Sequence, residues 1–216
     1  MDAGSASFTV LELFKLGGIF MWPLLFFSVA TVAIALERTI FLLYHNLKLE
    51  DLKTQISLFI MDDNINEAKE YLEAQPKRKA GARILLAIIN RAGHTESRIE
   101  KAAEAEALDT INTLENGFNF LTALGSLAPL TGFLGTVSGM IAAFKSIAEA
   151  TEVNAQIVAN GIYEALITTV FGLCIAIVAT IAHSLFVYVV DRFSVNVEKT
   201  CSDLIADLAT MKKIQE

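Results

Sequence analysis

Residues 165–190 read ALITTVFGLCIAIVATIAHSLFVYVV, a run bounded by Glu164 and Asp191 and free of Asp, Glu, Lys and Arg. At 1.5 Å per residue such a helix is about 39 Å long, against roughly 30 Å for the hydrocarbon core of a bilayer. A run that long and that apolar reads as a membrane span. Working outward, residues 116–144 form a second uncharged stretch between Glu115 and Lys145. Residues 16–36 form a third, and apolar character resumes after Glu37-Arg38 through Leu43. Trp22 near the start of that stretch fits an interfacial aromatic, and Pro23 falls where an early helical turn tolerates it. Three spans follow, and the expected fold is an all-α integral membrane protein.

The composition agrees. The 216 residues are 54% hydrophobic with a mean hydropathy of +0.51, yet 19% are charged, so long apolar spans must be joined to charged, water-exposed helices. A formal net charge of -7 argues against a nucleic-acid partner, because no extended basic face is there to neutralise its phosphates. Lys77, Arg78 and Lys79 form the one basic cluster, readable as a solvated loop or as a contact for anionic lipid headgroups. The two cysteines give no disulfide framework: Cys174 lies in an apolar span as a packing residue, and Cys201 in the charged tail. His45, His94 and His183 are far apart, so neither a metal site nor a cofactor is expected. Met1 to Leu13 contains Asp2 and Glu12 but no basic residue, which argues against a cleavable secretory signal.

All but three of the 17 Lys and Arg lie in residues 44–115 and 191–216, and Arg38 sits at the same end of the first span. The positive-inside rule then gives the order of segments. Residues 1–15 are extracytoplasmic, 16–43 span one, 44–115 a cytoplasmic helical region and 116–145 span two. Residues 146–158 are a short extracytoplasmic connection, 159–190 span three and 191–216 a cytoplasmic helical tail. Amphipathic spacing predicts helices in 50–74 and 80–92, broken at Gln75-Pro76 and at Ala92-Gly93, with Thr95 as the next N-cap. From Glu96 no proline occurs until Pro129. Ala107, Ile111, Leu114, Phe118, Leu121, Gly125 and Ala128 recur at steps of four and three, which predicts one helix well over 40 residues long.

Chemistry concentrates in spans two and three. Gly132, Gly135 and Gly139, with Gly125, Ser126, Ala128 and Ala143, give span two a small-residue face for close packing, within one subunit or between identical ones. Pro129 is expected to bend the helix and free a carbonyl on the preceding turn. Glu164 is the informative residue. A carboxylate at bilayer depth costs at least roughly 2.5–3.5 kcal/mol, so such residues face a cavity or a partner and are candidates to exchange a proton. The plainer reading places Glu164 at headgroup level, favoured there by the helix dipole. The uncharged stretch Val153 to Tyr163 before it sets it deeper. Thr168 lies one turn on, on nearly the same face, while Thr169 is rotated by about 140°. Span two offers Thr136. Threonines in membrane helices often bond their own backbone, but beside a carboxylate they can line a polar path.

The segment Ala128-Pro129-Leu130-Thr131-Gly132-Phe133-Leu134-Gly135-Thr136-Val137-Ser138-Gly139-Met140 resembles the second-span signature of the MotA/TolQ/ExbB proton-channel family. Gly161-Ile162-Tyr163-Glu164-Ala165-Leu166 followed by Thr168-Thr169-Val170-Phe171-Gly172-Leu173 is similar to its third-span signature, and Glu37-Arg38 also fits. The three-span count is similar to TolQ and ExbB. The resemblance implies a bacterial inner-membrane pentamer whose second and third spans surround a pore. A dimer of TolR- or ExbD-like single-span partners, each with a membrane aspartate, would occupy that pore and act on a TonB- or TolA-like protein. Glu164, Thr136 and Thr169 match the family's pore-lining polar positions, Thr168 is the same-face neighbour of Glu164, and Pro129 matches its span-two proline. The expected function is that of a subunit in a motor driven by proton-motive force. No nucleophile, base and oxyanion set appears, nor a phosphate-binding loop, so enzyme activity is not expected. A non-conducting scaffold is the competing class; a small-solute transporter would show paired broken helices in repeated halves, and no such repeat is visible.

Overall fold

The computed structural model describes Phe14, residues 16–149 and residues 155–215. The expected extracytoplasmic segment 1–15, Phe14 apart, lies outside the described residues, as do residues 150–154 of the expected 146–158 connection. Among the described residues regular structure is helical: α1 Met21–Tyr44, α2 Glu50–Met61, α3 Ile65–Glu73, α4 Ala80–Ile89, α5 Glu96–Glu115, α6 Phe118–Glu149 and α7 Ala155–Gln215. Three stretches are long and apolar enough to cross a membrane: Met21–Tyr44, Phe118–Glu149 and Gly161–Met211. The chain divides into a membrane unit, residues 1–36 and 117–184, and a charged unit, residues 37–116 and 185–216.

The membrane unit has a small core and a large apolar exterior. Met21 and Leu24 of α1, Ala128 of α6, and Ile167 and Ile175 of α7 are buried together, with Phe14, Phe27 and Phe171 packed on them. Trp22, Phe26, Phe133, Ile141, Phe144, Leu166 and Val170 point outward instead. A surface of this kind is stable in lipid, where the helices satisfy their own backbone groups, and is an aggregation hazard in water. Gly18 opens α1 at φ +67, with the Met21 N–H donating to the Gly18 carbonyl at 3.3 Å. Pro23 is the third helical residue, where no intrahelical donor is lost.

The charged unit has a conventional core of aliphatic side chains. Leu52, Ile56 and Ile60 of α2, Ala68 and Leu72 of α3, and Ile84, Leu85 and Ile88 of α4 are buried. The tail of α7 contributes Phe193, Val197, Thr200 and Leu204, at the steps of four, three and four that keep side chains on one helical face. Polar ties flank this core. Lys53 donates to Asp203 at 2.6 Å and Ser57 to Asp207 at 2.9 Å, joining α2 to the tail, while Arg83 on α4 pairs with Glu106 on α5 at 2.7 Å. Burial pushes the Cys201 thiol up to about 11, which leaves it protonated and inert at neutral pH.

Two expectations about helices need correction. The single helix from Glu96 into the membrane is two helices, broken at Asn116-Gly117, where Gly117 takes φ +91 and Asn116 leaves the helical region at ψ 129. The apolar stripe is real on both sides of the break, with Leu114, Phe118, Leu121 and Ala128 all buried, so periodicity alone gave no sign of the turn. The helix expected over 50–74 is likewise divided at Asp62-Asp63-Asn64, where Asp63 takes φ 56, a left-handed value that Asp tolerates better than most residues. The breaks at Gln75-Pro76 and Gly93 are where the sequence predicts them, and Thr95 occupies the N-cap of α5 without a side-chain capping bond. The long uninterrupted helix is α7, at 61 residues.

Candidate functional site

α6 and α7 meet along a seam of small residues in the membrane unit. From Ala128 onward the buried positions on α6 are Ala128, Gly132, Gly135, Gly139 and Ala143, spaced so that one edge of the helix carries almost no side chain. On α7, Gly161, Ala165, Thr168 and Gly172 form the matching edge. A Cβ placed on Gly132 would lie 2.7 Å from the Thr168 carbonyl oxygen and 3.0 Å from the Thr169 Cα. One on Gly172 would lie 2.5 Å from the Ala128 carbonyl oxygen and 3.3 Å from the Pro129 Cα. One on Gly139 would meet the Ala165 Cβ and the Gly161 carbonyl at 3.0 Å. The two backbones are in contact, which is what small residues permit in a membrane. The helices run antiparallel, since the partners of Gly139, Gly135, Gly132 and Ala128 advance from Ala165 to Gly172.

The threonines are tied to this seam. The Thr168 hydroxyl donates to the Gly132 carbonyl at 3.2 Å or to the Ala165 carbonyl at 2.8 Å, and Thr168 is only 1% exposed. Thr169 is half-buried and donates to the same Gly132 carbonyl at 3.1 Å. One backbone oxygen of α6 thus receives two hydroxyls from α7. Thr136, half-buried on α6, donates to the Phe133 carbonyl of its own helix at 2.6 Å. α6 runs without interruption through Pro129, and Gly172 of α7 lies against that turn.

Glu164 stands on another face of α7. It is half-buried, and its carboxyl group lies against Gly18, so that a Cβ on that glycine would overlap the carboxylate oxygen and come within 2.9 Å of Cδ. The left-handed φ of Gly18 and its missing side chain are both needed for this approach. One turn on, Ile167 faces Gly17 and Met21, which places Glu164 where α1 opens. Among the described residues of the membrane unit the only other charged side chains are Lys145 and Glu149, which pair with each other at 3.9 Å. Among the described residues of the unit, Glu164 is therefore the one acidic side chain away from that terminal pair.

The structure thus brings Thr168, Thr169, Gly132 and Gly135 together, places Pro129 opposite Gly172, and sends Glu164 toward Gly18. The sequence reading gave Gly18 no role and quoted Gly161 and Gly172 only within the family resemblance, not as packing positions. The last two were detectable, because Gly161, Ala165, Thr168 and Gly172 recur at steps of four, three and four on α7. The contact between Gly18 and Glu164 joins residues far apart in the chain and leaves no local signal.

Residues 69–199 match the MotA/TolQ/ExbB proton channel family, a range that contains the whole seam and Glu164. A Synechocystis protein named ExbB-like 1 is 32% identical over 189 residues, 82% of this chain and 70% of that protein. The biopolymer transport protein exbB1 of Vibrio cholerae is 29% identical over 85% of this chain and 81% of its own length. The Tol-Pal system protein TolQ of Haemophilus influenzae is 43% identical over a shorter stretch, 34% of this chain and 32% of that protein. With three apolar helices, a glycine seam and an acidic residue at the head of the third span, this multi-pass membrane protein belongs to the MotA/TolQ/ExbB proton channel family.

Proposed function

We propose that the chain is the channel-forming subunit of an ExbB/TolQ-like inner-membrane motor, driven by proton-motive force, that energises a partner acting on the cell envelope or on outer-membrane transport. In this reading several copies, five by the family pattern, surround a dimer of ExbD- or TolR-like single-span helices. The N-terminus lies outside and the charged unit in the cytoplasm. The partner's membrane aspartate carries the transported proton. Glu164, Thr136 and Thr169 supply the polar surround, and Thr168, enclosed between α6 and α7, serves it by fixing the register of the two helices. A potential of 100 mV provides roughly 2.3 kcal/mol per elementary charge, enough to bias one step of a partner helix per proton.

The observation that carries this reading is Glu164, an acidic side chain kept half-buried in the membrane unit, away from the Lys145–Glu149 pair, and given a glycine to lie against. Its test is to reconstitute the chain with its partner and compare Glu164→Gln and Glu164→Ala with the parent for proton-dependent function and for assembly. Lost function with intact oligomers is the expected result. Full function in both variants sinks the relay.

A second reading, a non-conducting scaffold, is favoured by one detail: the Glu164 carboxyl group sits where α1 opens, a place also suited to headgroup level. It expects both variants to work.

A further inference from the structure

Three clefts meet at the basic end of α1, and their linings divide by chemistry. α1 ends at Tyr44, and the chain then turns so that the Asn46 N–H donates to the Arg78 carbonyl at 2.8 Å, with Asn46 and Lys79 in a parallel bridge. The Lys48 N–H donates to the Asn46 side chain at 3.0 Å. This pairing carries the 77–78 loop to the end of a membrane helix some thirty residues before it. The result is a cleft of about 380 Å³ lined by Tyr44, His45, Pro76, Lys77 and Arg78. A second cleft of about 520 Å³ shares Tyr44, His45 and Arg78 and adds Lys48.

The charge here runs against that of the protein. The chain carries a net charge of -7, yet no carboxylate lines either cleft. Lys48, Lys77 and Arg78 are exposed, and among the described residues none is in an ion pair. His45 is fixed in orientation. A carbonyl can only accept, so Nδ1 donates to the Phe41 oxygen at 2.9 Å, and the ring lies tilted by 39° against Phe41 with centroids 4.2 Å apart. Next to the cations the surface becomes apolar: Ile40, Leu43 and Tyr44 are 66%, 81% and 65% exposed, and Ile40, Phe41 and Tyr44 line a further cleft with Glu37. Glu37 is itself engaged by Arg38 at 2.6 Å.

We propose that this junction seats the headgroup of an anionic phospholipid. Its phosphate lies among Lys48, Lys77 and Arg78, and an acyl chain follows the outer face of α1 along Leu43 and Ile40. A free phosphate would use the cations but has no need of the exposed apolar strip, and a zwitterionic lipid gains less from three unpaired cations. Tyr44 between the two surfaces is an amphipathic ring suited to the boundary. The proposal rests on the chain's place in a membrane and not on ion conduction.

The test uses the full chain in mild detergent, titrated with phosphatidylglycerol or phosphatidylcholine and weighed intact by native mass spectrometry. The parent should retain phosphatidylglycerol in preference to phosphatidylcholine. Each of Lys48→Gln, Lys77→Gln and Arg78→Gln should weaken retention about fivefold, the equivalent of roughly 1 kcal/mol per cation near an anionic headgroup. Arg78→Lys should keep most of it, and the control pair Arg91→Gln and Arg98→Gln, exposed cations that line neither cleft, should change nothing. Equal losses in the control and lining variants, or no preference in the parent, would overturn the proposal. So would displacement of the lipid by inorganic phosphate at matched concentration, which would mark a free-anion site.

Discussion

The seam between α6 and α7 predicts opposite outcomes for one substitution made at two glycines of the same helix. Gly132→Ala places a methyl 2.7 Å from the Thr168 carbonyl oxygen and 3.0 Å from the Thr169 Cα, both backbone atoms that no rotamer change can move. Restoring a contact of about 3.5 Å requires the helices to part by roughly 0.8 Å, and a gap of that size forfeits a quarter to a half of each dispersion well along the seam. Overpacking of this kind costs about 1–3 kcal/mol, and the two threonine bonds to the Gly132 carbonyl, worth about 0.6 kcal/mol each in a membrane, stretch as well. Against this, alanine gains up to about 1 kcal/mol of helix propensity. The net expectation is a loss of about 1–3 kcal/mol. At Gly125 the nearest atoms to an added Cβ are the Thr180 hydroxyl at 3.4 Å and the Ala179 Cβ at 3.7 Å, ordinary contacts. Gly125→Ala should therefore be neutral or stabilising by up to about 1 kcal/mol. Unfolding of the purified chain by SDS in mixed micelles, followed through its single tryptophan, Trp22 of the membrane unit, reads both shifts. Equal shifts of the same sign at Gly125 and Gly132 would refute the backbone contact from which these magnitudes come.

Two further outcomes follow from other contacts. Gly18→Ala combines a left-handed φ of +67, which costs a non-glycine residue roughly 1–2 kcal/mol, with a methyl on the Glu164 carboxyl group; it should impair proton-dependent function as Glu164→Gln does while oligomers persist, and normal function would show that the contact is dispensable. The hydrogen bond from Lys53 holds the Asp203 carboxyl below its ordinary range and raises the Lys53 ammonium. The lowered acid adds stability above about pH 3.9 that is lost as pH falls through its folded value, and the raised base adds stability below about pH 10.4 that is lost as pH rises through its folded value. The stability difference between the parent and Asp203→Asn should thus hold across neutral pH and shrink as pH falls below about 3.9 through the lowered folded value, and a difference unchanged by acid would contradict it.

What could be read in advance separates by the range of the interaction. The three spans rest on uncharged runs longer than a bilayer core, a property of composition along the chain, and among the described residues three helices, α1, α6 and α7, are long and apolar enough to cross a membrane. The small-residue face of span two was legible because glycine in a helix has few other uses than close approach. Its partner was less so, since Thr168 interrupts the small residues of α7 and reads first as a polar-path residue, whereas its hydroxyl is taken up by backbone carbonyls. Asn116-Gly117 is a turn signal that the unbroken apolar stripe outweighed, and the turn won because Gly117 can adopt φ +91 without a steric penalty. The place of Glu164 depended on Gly18, and no pattern within one helix encodes a contact with another.

The seam also constrains where movement can occur. α6 and α7 touch through backbone atoms at Gly132, Gly139 and Gly172, and two hydroxyls of α7 converge on one carbonyl of α6. Sliding these helices past each other would press the touching backbone of Ala128 and Gly172 together and break both threonine bonds to the Gly132 carbonyl, leaving the Thr168 hydroxyl only its own-helix acceptor, the Ala165 carbonyl. Packed contacts of this kind do not deform continuously, so the pair behaves as one body. Under the proposed motor function, a shear between the second and third spans is then not the moving step. On that reading we propose that the hairpin holds Glu164 and the faces beside it still while a partner helix steps past them.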